Sequence, residues 1–233
     1  MRKALKARFI LFGGKGPLHN HSVIINKERI EKIIPSSEID KSSYKVINLE
    51  DSVLMPGFVN AHIHLELNWI RKGLTSFNSF PSWLEQIINL KRENNNREVI
   101  TQSVQTSLKE TINSGVTTIG QISSYSGLDF EEIVKSKIRT VYFFEIANST
   151  ISRTKQPFFE KLKSLNKKNN DMFTLKLFPH SIYSLDTVAL EEILAKAYKE
   201  KVDLGIHLSE SKDEVRLIQK KKNAFEDLSL IHI

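Results

Sequence analysis

Two histidines one residue apart, His62 and His64, end a short apolar segment that a Pro-Gly pair introduces. Residues 58–61 before them read as a strand buried on both faces. Alternate residues of a strand point to the same side, so both imidazoles can reach one metal ion. This donor set suits a hydrolytic metal centre, because structural zinc sites favour cysteine, and the chain contains none.

The elements that position these histidines follow an alternating pattern from residue 56 onward. We predict strands over 57–61, 116–122, 139–146, 173–179 and 202–207, and helices over 82–92, 97–114, 129–136, 155–166, 186–199 and 211–221, with Ser82 and Asp186 as N-caps. The alternation favours a parallel sheet in an α/β fold. Because no glycine-rich phosphate loop follows the first strand, the first five strands of an eightfold barrel fit better than a doubly wound sheet. Shorter strands over 4–12, 22–26, 30–34 and 44–49 predict a small β-domain before the barrel.

Four histidines stand at the carboxyl ends of these predicted strands. His62 and His64 end the first, His180 follows the fourth, and His207 ends the fifth. The carboxyl ends of barrel strands meet at one face, where catalytic groups lie. The positions of the histidines are therefore a second sign of a site.

Four segments resemble the amidohydrolase superfamily in its deaminase and chlorohydrolase branch. Residues 56–65 resemble its first metal-binding strand and 114–120 its second strand, while 178–184 resemble its Pro-His-x-x-Tyr-Ser turn and 205–211 its His-x-x-Glu segment. The resemblance covers residues 1 to about 227. Residues 64–66, 120–124 and 207–212 look most like the aminofutalosine deaminases, although Gln121 stands where that group is expected to carry glutamate.

The resemblance implies a fold, a cofactor and roles for individual residues. Residues 1–55 would be the N-terminal part of a composite β-sandwich domain, and 56–227 the N-terminal part of a distorted (β/α)8 TIM-type barrel. His62, His64 and His207 would bind one divalent ion, Zn²⁺ or Fe²⁺, with Glu210 as proton shuttle and His180 in contact with substrate. The family also needs a further histidine and an aspartate beyond the fifth strand. The 233 residues of this chain include neither, so we expect them to be inactive by themselves.

The implied chemistry is hydrolytic deamination of an adenine-like ring. A divalent metal lowers the pKa of water toward neutrality, and Glu210 can carry protons from water to the ring nitrogen and the leaving ammonia. The resemblance implies 6-amino-6-deoxyfutalosine as substrate, in the futalosine route to menaquinone. Guanine or S-adenosylhomocysteine-type deamination, chlorohydrolysis, and non-catalytic metal binding stay open as alternatives.

The sequence leaves the roles of Glu66 and Trp83 open, both of which follow the first predicted strand of the barrel. Glu66 either contacts substrate, orients a metal ligand or forms a surface salt bridge. Trp83, together with the segment 77–80, either forms an aromatic wall for a flat base or packs its own helix.

The composition of the chain bears on its binding partners and its cellular location. The net charge of +7 comes from lysines spread along the chain, so we predict no nucleic-acid partner. The partner that the resemblance implies is a purine-type nucleoside substrate. The absence of cysteine, of a signal peptide and of a long apolar run predicts a cytoplasmic protein without a membrane span. A homodimer of the complete protein stays open. Residues 228–233 read codon for codon like a sequencing adapter, so we expect a non-native tail there.

Overall fold

The structure is a computed structural model that describes residues 2–14, 16–93, 96–147, 163–165, 168–222 and 225. The chain divides into two compact units, residues 1–57 and 58–233. Short strands make up the first unit, and strands alternate with helices in the second.

The first unit contains two small sheets. One is built from β1 (Arg2–Lys6), β4 (His21–Asn26), β5 (Arg29–Pro35) and β6 (Tyr44–Asn48), in the order β5-β4-β1-β6. The other is built from β2 (Phe9–Ile10), β3 (Leu18–His19) and β7 (Val53–Leu54), in the order β3-β2-β7. The single strand predicted over 4–12 is therefore wrong, since β1 and β2 belong to different sheets.

The second unit is built on one parallel sheet of four strands. These strands are β8 (Phe58–Ile63), β9 (Val116–Ser123), β10 (Arg139–Ile146) and β11 (Phe173–Pro179), in the order β11-β10-β9-β8. Neighbours in the sheet are also neighbours in the chain. This order agrees with the predicted barrel, because a doubly wound sheet reverses its strand order at a switch point.

The predicted fifth strand is present only as isolated pairing along β11. Leu204 and His207 form parallel bridges to Leu177 and Ser181, and no continuous ladder joins them. The predicted burial of the first strand on both faces is also wrong. Phe58 is 54% and Val59 66% exposed, because β8 is an edge strand of the described sheet.

Helices follow the strands at nearly the predicted positions. They are α1 (Phe80–Glu93), α2 (Arg97–Asn113), α3 (Phe130–Ser136), α4 (Thr187–Glu200) and α5 (Lys212–Ile218), with a 3₁₀ helix over Leu65–Lys72. The helix predicted over 155–166 falls on residues of which the structure describes only 163–165. Among the described residues no helix combines the length and hydropathy that crossing a bilayer requires.

Local hydrogen bonds explain where these helices begin and end. The Asp186 side chain accepts a hydrogen bond from the Ala189 N–H at 2.7 Å and caps α4 as predicted. The prediction for α1 is wrong in detail, because the helix begins at Phe80. Ser79 precedes it, and its hydroxyl and the Ser82 N–H form a capping pair at 3.3 Å.

The main core of the second unit lies between one face of the sheet and helices α2, α3 and α4. Strand β10 alternates, with Tyr142, Phe144 and Ile146 buried on this face. They pack in one cluster with apolar residues of the three helices, among them Val104, Leu108, Ile133, Ala189 and Ile193. The core therefore fixes the strands from one side and directs the alternate residues of β10 to the opposite face.

Candidate metal centre

Strand β8, which carries His62 and leads to His64, contains a bulge near its carboxyl end. Asn60 of β8 pairs with Ile119, but the next pair is Ile63 with Gln121, so an extra residue lies on β8. The strands approach so closely here that a Cβ on Gly120 would lie 2.1 Å from the Ala61 carbonyl oxygen. The strand and the residue after it thus bring two imidazoles to the carboxyl edge of the sheet.

Three histidines meet at this edge, as the sequence predicted. One ligand atom each of His62, His64 and His207 lies within 4.8 Å of the others. The ring centroids of His62 and His64 are 5.3 Å apart, and that of His207 lies 4.9 Å from the first and 6.0 Å from the second. Backbone bonding holds His207 in place, because its N–H donates to the His180 carbonyl at 2.9 Å.

The environment of these imidazoles suits metal ligands. Burial lowers the pKa of His64 to about 4 and that of His207 to about 3, so both rings are neutral at pH 7. The Nδ1 atom of His64 is buried and has no hydrogen-bond partner among the described residues. A buried polar nitrogen without a partner is costly, and a bound cation would remove that cost. The three residues therefore fit a divalent ion.

His180 lies beside the three histidines and is held by the carboxylate of Glu145. Its ring centroid is 5.0 Å from that of His207, and its Nδ1 lies 3.0 Å from Oε2 of Glu145. Burial alone would raise the pKa of Glu145, but the His180 imidazole outweighs burial and lowers it to about 2. Sequence reasoning omitted Glu145. Its signal is a carboxylate that directly follows the apolar and aromatic run 141–144 inside β10.

Glu210 stands at the rim of the same edge and is exposed. Its Oε2 accepts a hydrogen bond from the Tyr183 hydroxyl at 3.1 Å, and its N–H donates to Oε2 of Glu214 at 2.6 Å. Burial and the nearby Glu210 carboxylate raise the pKa of Tyr183, so the phenol keeps the proton that it donates. The sequence motif contained Tyr183, but nothing in the sequence indicated its contact with Glu210.

Both carboxylate oxygens of Glu66 accept hydrogen bonds from protein donors, and its predicted contact with substrate stays a prediction. The strand ends at Ile63, and Glu66 lies in the 3₁₀ helix that begins at Leu65. Glu66 is fully buried. Its Oε1 accepts from the Ser124 N–H at 2.6 Å, and its Oε2 accepts from the Gln121 amide at 2.5 Å.

Trp83 lies in α1 within an aromatic cluster. Its ring centroid is 5.5 Å from Phe80 and 6.4 Å from Phe77. Phe80 in turn contacts Tyr183 at 6.5 Å. These contacts agree with the alternative in which Trp83 packs its own helix. Phe80, rather than Trp83, connects the aromatic cluster to Tyr183 and so to Glu210.

Comparison with known proteins assigns this architecture to a family. The model of the amidohydrolase family matches residues 53–230, and the chain belongs to that family. Among solved structures, aminofutalosine deaminase of Helicobacter pylori in complex with methylthio-coformycin superimposes with a TM-score of 0.76 at 24% identity. That match covers 92% of this chain and 52% of the other. The second unit is accordingly part of a TIM-type α/β barrel.

The curated relatives of this chain include two enzymes named as deaminases. An aminodeoxyfutalosine deaminase of a Nitratiruptor species is 30% identical over 179 residues, which cover 76% of this chain and 44% of the relative. An adenosine deaminase of Helicobacter pylori is 27% identical over 206 residues, which cover 84% and 49%. The chain thus spans about half the length of the curated relatives that it matches.

Proposed function

We propose that this chain supplies part of the active site of a metal-dependent deaminase that acts on adenine-type nucleosides, with 6-amino-6-deoxyfutalosine as its substrate in menaquinone biosynthesis. The observation that carries the proposal is the convergence of His62, His64 and His207 within 4.8 Å at the carboxyl edge of the sheet. The similarity to an aminodeoxyfutalosine deaminase supports the choice of substrate.

The three histidines would hold one divalent ion, Zn²⁺ or Fe²⁺. Such an ion lowers the pKa of a coordinated water toward neutrality and so supplies a nucleophile at pH 7. Imidazole nitrogen suits both metals, so the ligand set does not choose between them.

The chain's own residues would manage the protons. Deamination adds water to the ring carbon that carries the amine and breaks the carbon–nitrogen bond, so protons must reach the ring nitrogen and the leaving ammonia. Glu210 is an exposed carboxylate on the strand-to-helix turn after His207, and Tyr183 fixes one of its oxygens at 3.1 Å. The other oxygen has no hydrogen-bond partner in the described part of the chain, so it can take a proton and return it. His180, oriented by Glu145, would contact the purine.

The experiment that tests this proposal is ammonia release by the full-length protein. The purified protein, loaded with zinc or iron, is assayed with aminodeoxyfutalosine, adenosine, 5'-deoxyadenosine and guanine, and a His207→Ala variant serves as control. We expect the wild type to release ammonia from aminodeoxyfutalosine and the His207→Ala variant to release none. Release only from one of the other three compounds would keep the deaminase chemistry and reject the menaquinone pathway. No release from any of the four would reject the deaminase.

A further inference from the structure

A buried polar network lies directly behind the metal centre, and Gln121 is its middle member. The Nε2 amide of Gln121 donates to Oε2 of Glu66 at 2.5 Å and to Oδ2 of Asp129 at 2.9 Å. Its Oε1 accepts from the Leu65 N–H at 3.0 Å. All three side chains are fully buried. One amide thus bonds two carboxylates and the backbone of the residue that follows His64.

The outer members of the network fix the position of Gln121. Oδ1 of Asp129 accepts from the Ser123 hydroxyl at 2.5 Å and from the Tyr142 hydroxyl at 2.6 Å. Because an amide has distinct donor and acceptor ends, these bonds permit only one orientation of the Gln121 side chain. The donor end faces the carboxylates, and the acceptor end faces Leu65.

The network bonds to the chain just beyond the end of β8, where pairing with β9 has stopped. The last pairing of β8 with β9 is at Ile63, so side chains take over the backbone polar groups of Leu65. Gln121 accepts its N–H, while the Ser107 hydroxyl at 2.9 Å and the Ser103 hydroxyl at 3.2 Å donate to its carbonyl. His64 therefore lies between the last residue of the strand and a residue that side chains clamp at both ends.

We infer that Gln121 is a positioning residue of the metal centre: it holds Leu65 and Glu66 in place and thereby sets the direction from which His64 enters the site. This inference rests on the proposed function, since it assumes that His64 is a ligand. Residues that orient metal ligands typically contribute about 10- to 100-fold to metal affinity. A comparable contribution is expected here.

The test measures zinc affinity of the full-length protein by competition with a chromophoric chelator, beside the urea midpoint of unfolding. Gln121→Glu replaces the donor end with a third carboxylate and is expected to weaken zinc binding at least about 10-fold. Gln105→Glu is the matched control, because Gln105 is an exposed glutamine whose amide also donates to a carboxylate, Glu132, at 2.9 Å. The control is expected to bind zinc like the wild type.

A charge-swapped variant separates the hydrogen-bond pattern from mere disruption. Combining Glu66→Gln, Gln121→Glu and Asp129→Asn reverses donor and acceptor at each of the three positions and keeps the bonds to Leu65, Ser124 and Tyr142. Zinc affinity restored to within about threefold of the wild type supports the inference. A triple variant that regains the urea midpoint but not the affinity overturns it.

Two further outcomes are decisive. Folded Gln121→Glu protein that binds zinc within about twofold of the wild type overturns the inference, and Gln121→Met is judged by the same limits if Gln121→Glu does not fold. His62→Ala distinguishes the two proposals. If His62→Ala leaves zinc affinity unchanged, the metal centre itself is wrong, whereas a loss in His62→Ala with no loss at Gln121 rejects only the positioning role.

Discussion

A methyl group added at Gly120 would meet the backbone of the strand that carries His62. The Cβ of an alanine there would lie 2.1 Å from the Ala61 carbonyl oxygen and 2.7 Å from its carbonyl carbon. Real Cβ atoms essentially never come within 3.0 Å of such an atom, so the strands would have to separate by about 0.9 Å. A backbone carbonyl cannot rotate aside as the end of a side chain can.

The expected cost has a structural and a functional part. Overpacking of this kind destabilises by about 1–3 kcal/mol, and contact with backbone places Gly120→Ala at about 3 kcal/mol. A displacement near 1 Å also moves His62, which is one residue from the contact. Because a misplacement of this size can cost about 100-fold in a catalytic site, zinc affinity is expected to fall at least about 10-fold.

Gly73→Ala is the matched control for this prediction. Its added Cβ would lie 2.9 Å from Cδ2 of Leu90, the end of a flexible side chain that can move. Both substitutions reduce the entropy of the unfolded chain equally. Urea unfolding and chelator competition on the two full-length variants provide the comparison. If Gly120→Ala matches Gly73→Ala within about 0.5 kcal/mol and binds zinc like the wild type, the close approach does not position the site.

Three further predictions concern side chains around the centre. Glu210→Gln is expected to lower kcat for deamination by about 100- to 10,000-fold while zinc affinity stays unchanged, because it removes the proton carrier and no ligand; loss of zinc in this variant would contradict the assignment. Tyr183→Phe removes a hydrogen bond worth about 0.5–1.5 kcal/mol to the same carboxylate and is expected to lower kcat about 3- to 10-fold, with an unchanged kcat counting against it. Tyr142→Phe leaves buried Asp129 with one donor fewer and is expected to cost about 1.5–3 kcal/mol in urea unfolding, so a cost below about 0.5 kcal/mol would show that the bond contributes little.

Sequence alone could predict the features that depend on local pattern. Asp186 is found as the cap of α4 because an N-cap bonds a backbone N–H three residues away. The convergence of His62, His64 and His207 also follows from pattern, since it needs only parallel strands whose carboxyl ends carry the residues. Ser79 and Ser82 show the limit of this reasoning, because two serines near a helix start offer equally good caps.

Sequence could not predict the contacts that depend on tertiary packing. Glu66 is a candidate residue of the site because it follows the strand that leads to His62 and His64. The 3₁₀ helix turns it instead toward Gln121 and Ser124, which are 55 and 58 residues away in the chain. Glu145 likewise reaches His180 across 35 residues. No periodicity records pairings of this kind, since they arise only when strands β8 to β11 assemble.

The buried network also accounts for both oxygens of a carboxylate that lies two residues after His64 in the sequence. Glu66 is the acid nearest to His64 in the sequence, and a free carboxylate at the centre could bind a cation in place of an imidazole. Both of its oxygens are instead occupied by Ser124 and Gln121, while Nδ1 of His64 has no partner in the described part of the chain. Protein donors thus satisfy the acid, and Nδ1 of His64 is left for another partner. The chemical character of the centre therefore depends on where Gln121 directs its amide as well as on the histidines themselves.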